Sequence, residues 1–199
     1  MLEAALPSVG VNIERLRDYI TSDDYKVIKL HGSVNWAREV NTPIDDLQNL
    51  NVWQVASELI ERAPDLDIGQ RYRIVSEYPI GKSESGAQAL FPALAIPVET
   101  KREYECPEEH LVALRECVGK VSKLLLIGWR ATEEHFLGLL RDNLPSGHLV
   151  VMAVAGREDE ASKTLERTKR AGIKGEFIPT TGGFSDFIVR REGDDFFKL

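Results

Sequence analysis

Between residues 123 and 180 the chain alternates short apolar runs with longer amphipathic ones, and this rhythm limits the fold more than any other feature. Leu124-Leu125-Leu126-Ile127 reads as the core of a strand over 123–129 that ends at Gly128 and Trp129. Residues 133–143 carry Phe136, Leu137, Leu139 and Leu140 at helical spacing, and Pro145-Ser146-Gly147 stops that helix. A strand over 148–155, a helix over 159–171 closed by Gly172, and a strand over 175–180 complete the series. Upstream, residues 107–120 predict another helix. Pro107 suits its first turn, Glu108 and Glu109 favour its positive end, and Leu111, Leu114 and Val118 share one face. Strands separated by helices of this length pair in parallel through right-handed crossovers, so the expected fold is α/β with a largely parallel sheet.

The first half is less regular. Residues 11–20 predict a short helix, since Val11, Leu16 and Ile20 can share much of one face. A strand follows in Lys26-Val27-Ile28-Lys29-Leu30 and runs into His31. Beyond Trp36, a helix is expected over 44–62, a strand over 72–75 and a surface loop of small residues over 81–88. Gly81-Lys82-Ser83 has the ending of a phosphate loop but lacks the upstream glycine that such a loop requires. The expected organisation is one domain over residues 1–199, with residues 37–90 as a small inserted lobe.

Composition narrows the function classes. A net charge of -7 leaves no cationic surplus to displace counterions from nucleic-acid phosphates. Cys106 and Cys117 are the two cysteines, too few for a four-thiolate zinc ribbon, and both read as reduced thiols. His110, His135 and His148 have no metal-ligand spacing, so no metal site is expected. The chain has no run of about 18 apolar residues and no basic-then-apolar leader, so a cytoplasmic location without membrane contact is expected.

The residues with most chemical content are Leu30-His31-Gly32-Ser33-Val34-Asn35-Trp36, read as a strand end presenting an imidazole beside small polar groups. An imidazole has its ordinary pKa close to neutral pH and can act as a base there. This wording resembles the sirtuin-like family, and further segments extend the likeness. Leu-Leu-Leu-Ile-Gly-Trp-Arg-Ala-Thr-Glu-Glu-His-Phe-Leu-Gly-Leu-Leu, ending at Leu140, is similar to the family's Ile-Gly-Tyr-Ser-x-x-Asp-x-x-Ile-x-x-Leu-Leu segment. Residues 91–97 are similar to its proline-bearing strand, and Gly182-Gly183-Phe184-Ser185-Asp186-Phe187 matches a common C-terminal signature.

The resemblance implies a Rossmann-like three-layer domain related to enzymes that cleave NAD or use it to remove acyl groups. His31 would be the catalytic base toward a ribose hydroxyl. Gly32, Ser33, Asn35, Gly128, Trp129, Arg130 and Glu133 would bind the cofactor, NAD or ADP-ribose. Arg130 stands where the family has a small serine, Glu133 replaces an aspartate, and Met152-Ala153-Val154 offers no ribose-binding amide. Residues 1–7 align just after a Thr-x-Asn-Tyr-Asp motif, which implies a domain incomplete at its N-terminal, Gly-rich nucleotide-binding portion. A homo-oligomer or partner protein would then complete the sheet. The motif style is that of bacterial sirtuin-like domains of defence systems, which favours NAD hydrolysis over deacylation. The alternative is a non-catalytic interaction or regulatory module on the same scaffold.

Overall fold

A computed structural model of the chain describes residues 13–83, 86–95 and 104–198. It is α/β, with two separate sheets and helices, and it divides into two compact units. Of the described residues, the first unit holds 13–83, 86–95 and 104–112, and the second holds 113–198.

The first unit is built on an antiparallel sheet of β1 (Gly32–Val40), β2 (Ile68–Ile74), β3 (Ile80–Ser83) and β4 (Gly86–Leu94), in the order β2-β1-β4-β3. Helix α1 (Val52–Glu61) begins where the Asn51 side chain accepts from the Trp53 and Gln54 amides, with the Gln54 side chain accepting from Asn51 N in return. Its buried Val55 and Leu59 pack with Val40 and Ala89. A separate core gathers Tyr19, Trp36, Ala93, Cys106 and Leu111, with Val27, Leu30 and Tyr72 against it.

Several sequence expectations fail in this unit. Residues 16–19 form a 3₁₀ turn in place of a helix over 11–20, whose first two residues lie outside the described ones. The Asp18 carboxylate captures the amides of Arg15 at 2.7 Å and Glu14 at 3.1 Å, which competes with helical bonding. Residues 26–30 form no strand. Val27 N donates to Tyr19 O, Leu30 O accepts from Glu105 N and Lys29 O accepts from Gly32 N in a turn, none of them a ladder bond, and the strand starts after His31. That strand pairs antiparallel on both sides, so His31 does not cap the carboxyl end of a parallel strand. The helix expected from residue 44 starts only at Val52, because Asp46 adopts a positive φ of 53° and Asn51 sets the cap. Of the expected loop over 81–88, residues 81–83 belong to β3 and 86–88 to β4, with Gly81 paired to Gln88 and Ile80 to Ala89, while 84 and 85 lie outside the described residues.

The second unit follows the predicted alternation. β5 (Lys123–Ile127), β6 (Val150–Val154) and β7 (Glu176–Pro179) form a parallel sheet in that order. Helices α3 (Glu134–Asn143) and α4 (Glu158–Arg170) connect them, and α2 (Glu108–Val118), of which residues 113–118 belong to this unit, precedes β5. Every residue of β6 is buried. Val151 and Ala153 join Leu126, Leu137, Leu140 and Leu165 in one core, while Val150, Met152 and Val154 join Phe187 and Phe196 in another. The latter two belong to α5 (Phe184–Val189) and α6 (Glu192–Lys198), helices that the sequence reading did not delimit. Burial on both faces explains why β6 lacks polar alternation.

Among the described residues no helix is long and apolar enough to cross a membrane.

Candidate functional site

Gly32 fixes the geometry of the His31 segment. Its amide donates to Lys29 O at 3.1 Å, and its φ of +75° is one that an L side chain rarely adopts. A Cβ at Gly32 would lie 1.9 Å from Ala93 O, so the turn before β1 admits only glycine. His31 is half-buried in that turn, and its carbonyl accepts from Ala95 N at 2.9 Å.

The following residues occupy a break in the ladder. Gly32 faces Leu94 and Ala37 faces Pro92, so five steps along β1 match two along β4. Such irregularities re-aim side chains. Here Ser33 is buried, Val34 is 78% exposed and Trp36 is fully buried. The Lys29 ammonium donates to Ser33 Oγ at 2.8 Å and lies 5.4 Å from the Tyr19 ring and 5.8 Å from the Trp36 ring. Burial lowers the Lys29 pKa. Asn35 O accepts from Val75 N, while its buried Oδ1 meets no hydrogen-bond donor among the described residues. Lys29 meets Ser33 only because the chain turns at Gly32, and it meets the Tyr19 and Trp36 rings only in the folded unit, contacts that local hydrophobic spacing does not record.

Gly128, Trp129 and Arg130 belong to the second unit and lie together on the loop leaving β5. The Gly128 amide donates to Val154 O at 3.0 Å, carrying the β5–β6 pairing one step past the strand. Gly128 (φ 63°) and Ala131 (φ 53°) then turn the chain sharply. Two side chains of α4 hold this loop: Thr164 Oγ1 donates to Trp129 O at 3.2 Å, and Arg167 Nη1 donates to Arg130 O at 2.9 Å. The half-buried Trp129 ring meets Phe136 edge to face at 5.3 Å.

Between this loop and the one after β6 lies a cavity of about 470 Å³, lined by Gly128, Trp129 and Arg130, by Ala155 and Gly156, and by Glu160, Lys163, Thr164 and Arg167 of α4. The α4 residues recur at steps of three and four and so share one helix face. That spacing was visible in the sequence, but what the face meets was not. A Cβ on Gly128 would touch nothing within 4 Å, so the backbone there is bare. Ligands in open α/β sheets occupy this position, outside the carboxyl ends of parallel strands. Glu133, expected beside the cofactor, stands at the N-cap of α3, where its carbonyl accepts from Phe136 N and Leu137 N.

A larger hollow of about 800 Å³ lies beside the β3–β4 hairpin, but the Arg73 guanidinium in its wall is already held by Glu39 and by Lys82 O. Among the described residues no group of three or more His, Cys, Asp or Glu side chains could hold a metal ion. No protein-family model, curated protein or solved structure matches the chain.

Proposed function

We propose that the chain is a sirtuin-like protein with a Rossmann-like three-layer fold, related to NAD-cleaving and NAD-dependent deacylating enzymes. The observation that carries this reading is the cavity at the carboxyl ends of β5 and β6, with a bare Gly128 backbone and the cations Arg130, Lys163 and Arg167 in its wall. Its residues fit a nucleotide. Gly128 allows close backbone approach, Trp129 offers an aromatic face, and the cations suit phosphate oxygens. When bound, NAD would supply the nicotinamide–ribose bond that such enzymes cleave. His31 is the proposed base toward a ribose hydroxyl, with Ser33 and Asn35 shaping its surroundings.

Calorimetry of the folded protein with millimolar NAD and with ADP-ribose tests the reading, and absence of heat with both would sink it. His31→Ala separates an enzyme from a module: loss of nicotinamide release supports catalysis, whereas a wild type that releases none supports the module. The second reading, a non-catalytic interaction module, draws on the exposed apolar residues Phe184, Ile188, Val189 and Phe197.

Association with a second copy or a partner protein, in the cytoplasm, belongs to the same proposal. Among the described residues β5 has a strand neighbour on one side only, and an apolar strand with one open edge can accept another. Sedimentation giving one stable species of 22.3 kDa would remove that part of the proposal.

A further inference from the structure

We infer that the cavity beyond β5 and β6 selects a nucleotide bearing a phosphomonoester, such as a 2′-phosphorylated adenosine, over the same nucleotide with a free ribose hydroxyl. The inference rests on the nucleotide-binding reading and concerns only which ribose the cavity prefers.

Charge and donor type carry the argument. Sites that read a free 2′-hydroxyl place a carboxylate beside it as acceptor, whereas an arginine nearby accommodates a 2′-phosphate. Here the residues leaving β6 on the cavity wall are Ala155 and Gly156, neither of which can accept through a side chain. Among the described residues the one carboxylate on the wall, Glu160, is paired with Arg157 at 3.4 Å.

Against it stand three cations that donate hydrogen bonds and accept none. Arg167 spends Nη1 on Arg130 O, and a guanidinium has further N–H groups to offer. Lys163 donates to Asp159 at 2.9 Å, and an ammonium carries three donors. Arg130 is exposed, with its backbone fixed through its carbonyl. A phosphomonoester brings about -1.5 to -2 charges at neutral pH and three acceptor oxygens, the complement of a wall carrying three cationic donors. A hydroxyl, which also needs an acceptor, matches it less well.

Isothermal titration of the whole chain with NAD, NADP and inorganic phosphate, in low and in high salt, tests this. NADP is expected to bind at least tenfold more tightly than NAD in low salt, with the gap narrowing as salt screens the cations. Arg130→Gln and Lys163→Gln, each verified as folded by circular dichroism, should weaken NADP more than NAD and so bring the two dinucleotides within about threefold of each other. Equal affinities in the wild type, or a preference that survives in both variants, overturn the selectivity and leave the nucleotide reading standing. Inorganic phosphate binding as tightly as NADP overturns it in favour of a free anion. No binding by either dinucleotide overturns the nucleotide reading itself, and the selectivity with it.

Discussion

Lys29 and Ser33 meet through a 2.8 Å hydrogen bond across the turn that starts β1, and the ammonium also lies against the faces of Tyr19 and Trp36. Burial lowers the pKa of this lysine, so its charged form leans on acceptors such as Ser33 Oγ. Ser33→Ala removes that acceptor while leaving the backbone unchanged. A loss of about 1.5–3 kcal/mol is expected, the range for a hydrogen bond to a charged group. Urea unfolding of wild type and variant measures it, and an unchanged midpoint would show that the bond contributes nothing.

Gly32 and Gly128 both have positive φ, yet alanine should act differently at each. At Gly32 the new methyl would sit 1.9 Å from Ala93 O and 3.1 Å from Glu105 O, so β1 and β4 could not keep their spacing. The expected cost exceeds about 3 kcal/mol. At Gly128 nothing lies within 4 Å, and only the left-handed backbone penalty remains, about 1–2 kcal/mol. Thermal denaturation of both variants reads the contrast, and calorimetry should show weaker nucleotide binding by Gly128→Ala than its small stability loss explains.

His110 is buried, and its Nε2 lies 3.0 Å from Leu16 O. A carbonyl can only accept, so the proton sits on Nε2. Desolvation lowers the His110 pKa from 6.5. Below pH 6.5 the unfolded chain therefore binds a proton that the folded chain resists, and stability falls as pH falls, by up to about 1.4 kcal/mol per pH unit from this residue. His110→Gln keeps a donor for Leu16 O and should flatten the acid limb of stability against pH relative to wild type. Parallel curves for the two proteins would refute the assignment.

Cys106 contributes at the alkaline end. Burial, with Glu108 and Glu105 nearby, pushes its thiol from 9.0 up to about 12. Between these values the unfolded chain has lost a proton that the folded chain keeps, so stability declines as pH rises above 9.0. The half-buried Tyr72 hydroxyl, also raised by desolvation, acts in the same direction at higher pH. Cys106→Val should lessen the decline between pH 9 and 11 by up to about 1.4 kcal/mol per unit. The thiol in the native protein should also resist alkylation at pH 8, and modification as fast as in urea would contradict its burial.

Legibility in the sequence followed the range of the interactions involved. The second unit could be read closely: β5, β6, β7, α3 and α4 fall within about two residues of the expected spans. Gly128, Trp129 and Arg130 after β5 were legible too, since they lie on three successive positions. The α4 half of the cavity wall was not, because Glu160, Lys163 and Arg167 gain their meaning from a loop some thirty residues earlier.

By itself the sequence determined the alternation of strand and helix in the second half, since a strand buried on both faces and helices with one apolar stripe are written in local hydrophobic spacing. Only the tertiary structure decided that β1 begins after His31 and runs antiparallel between β2 and β4. The partners that fix its direction, Ile74 for Trp36 and Phe91 for Arg38, lie far along the chain, and a strand's own residues do not encode which edge it will join.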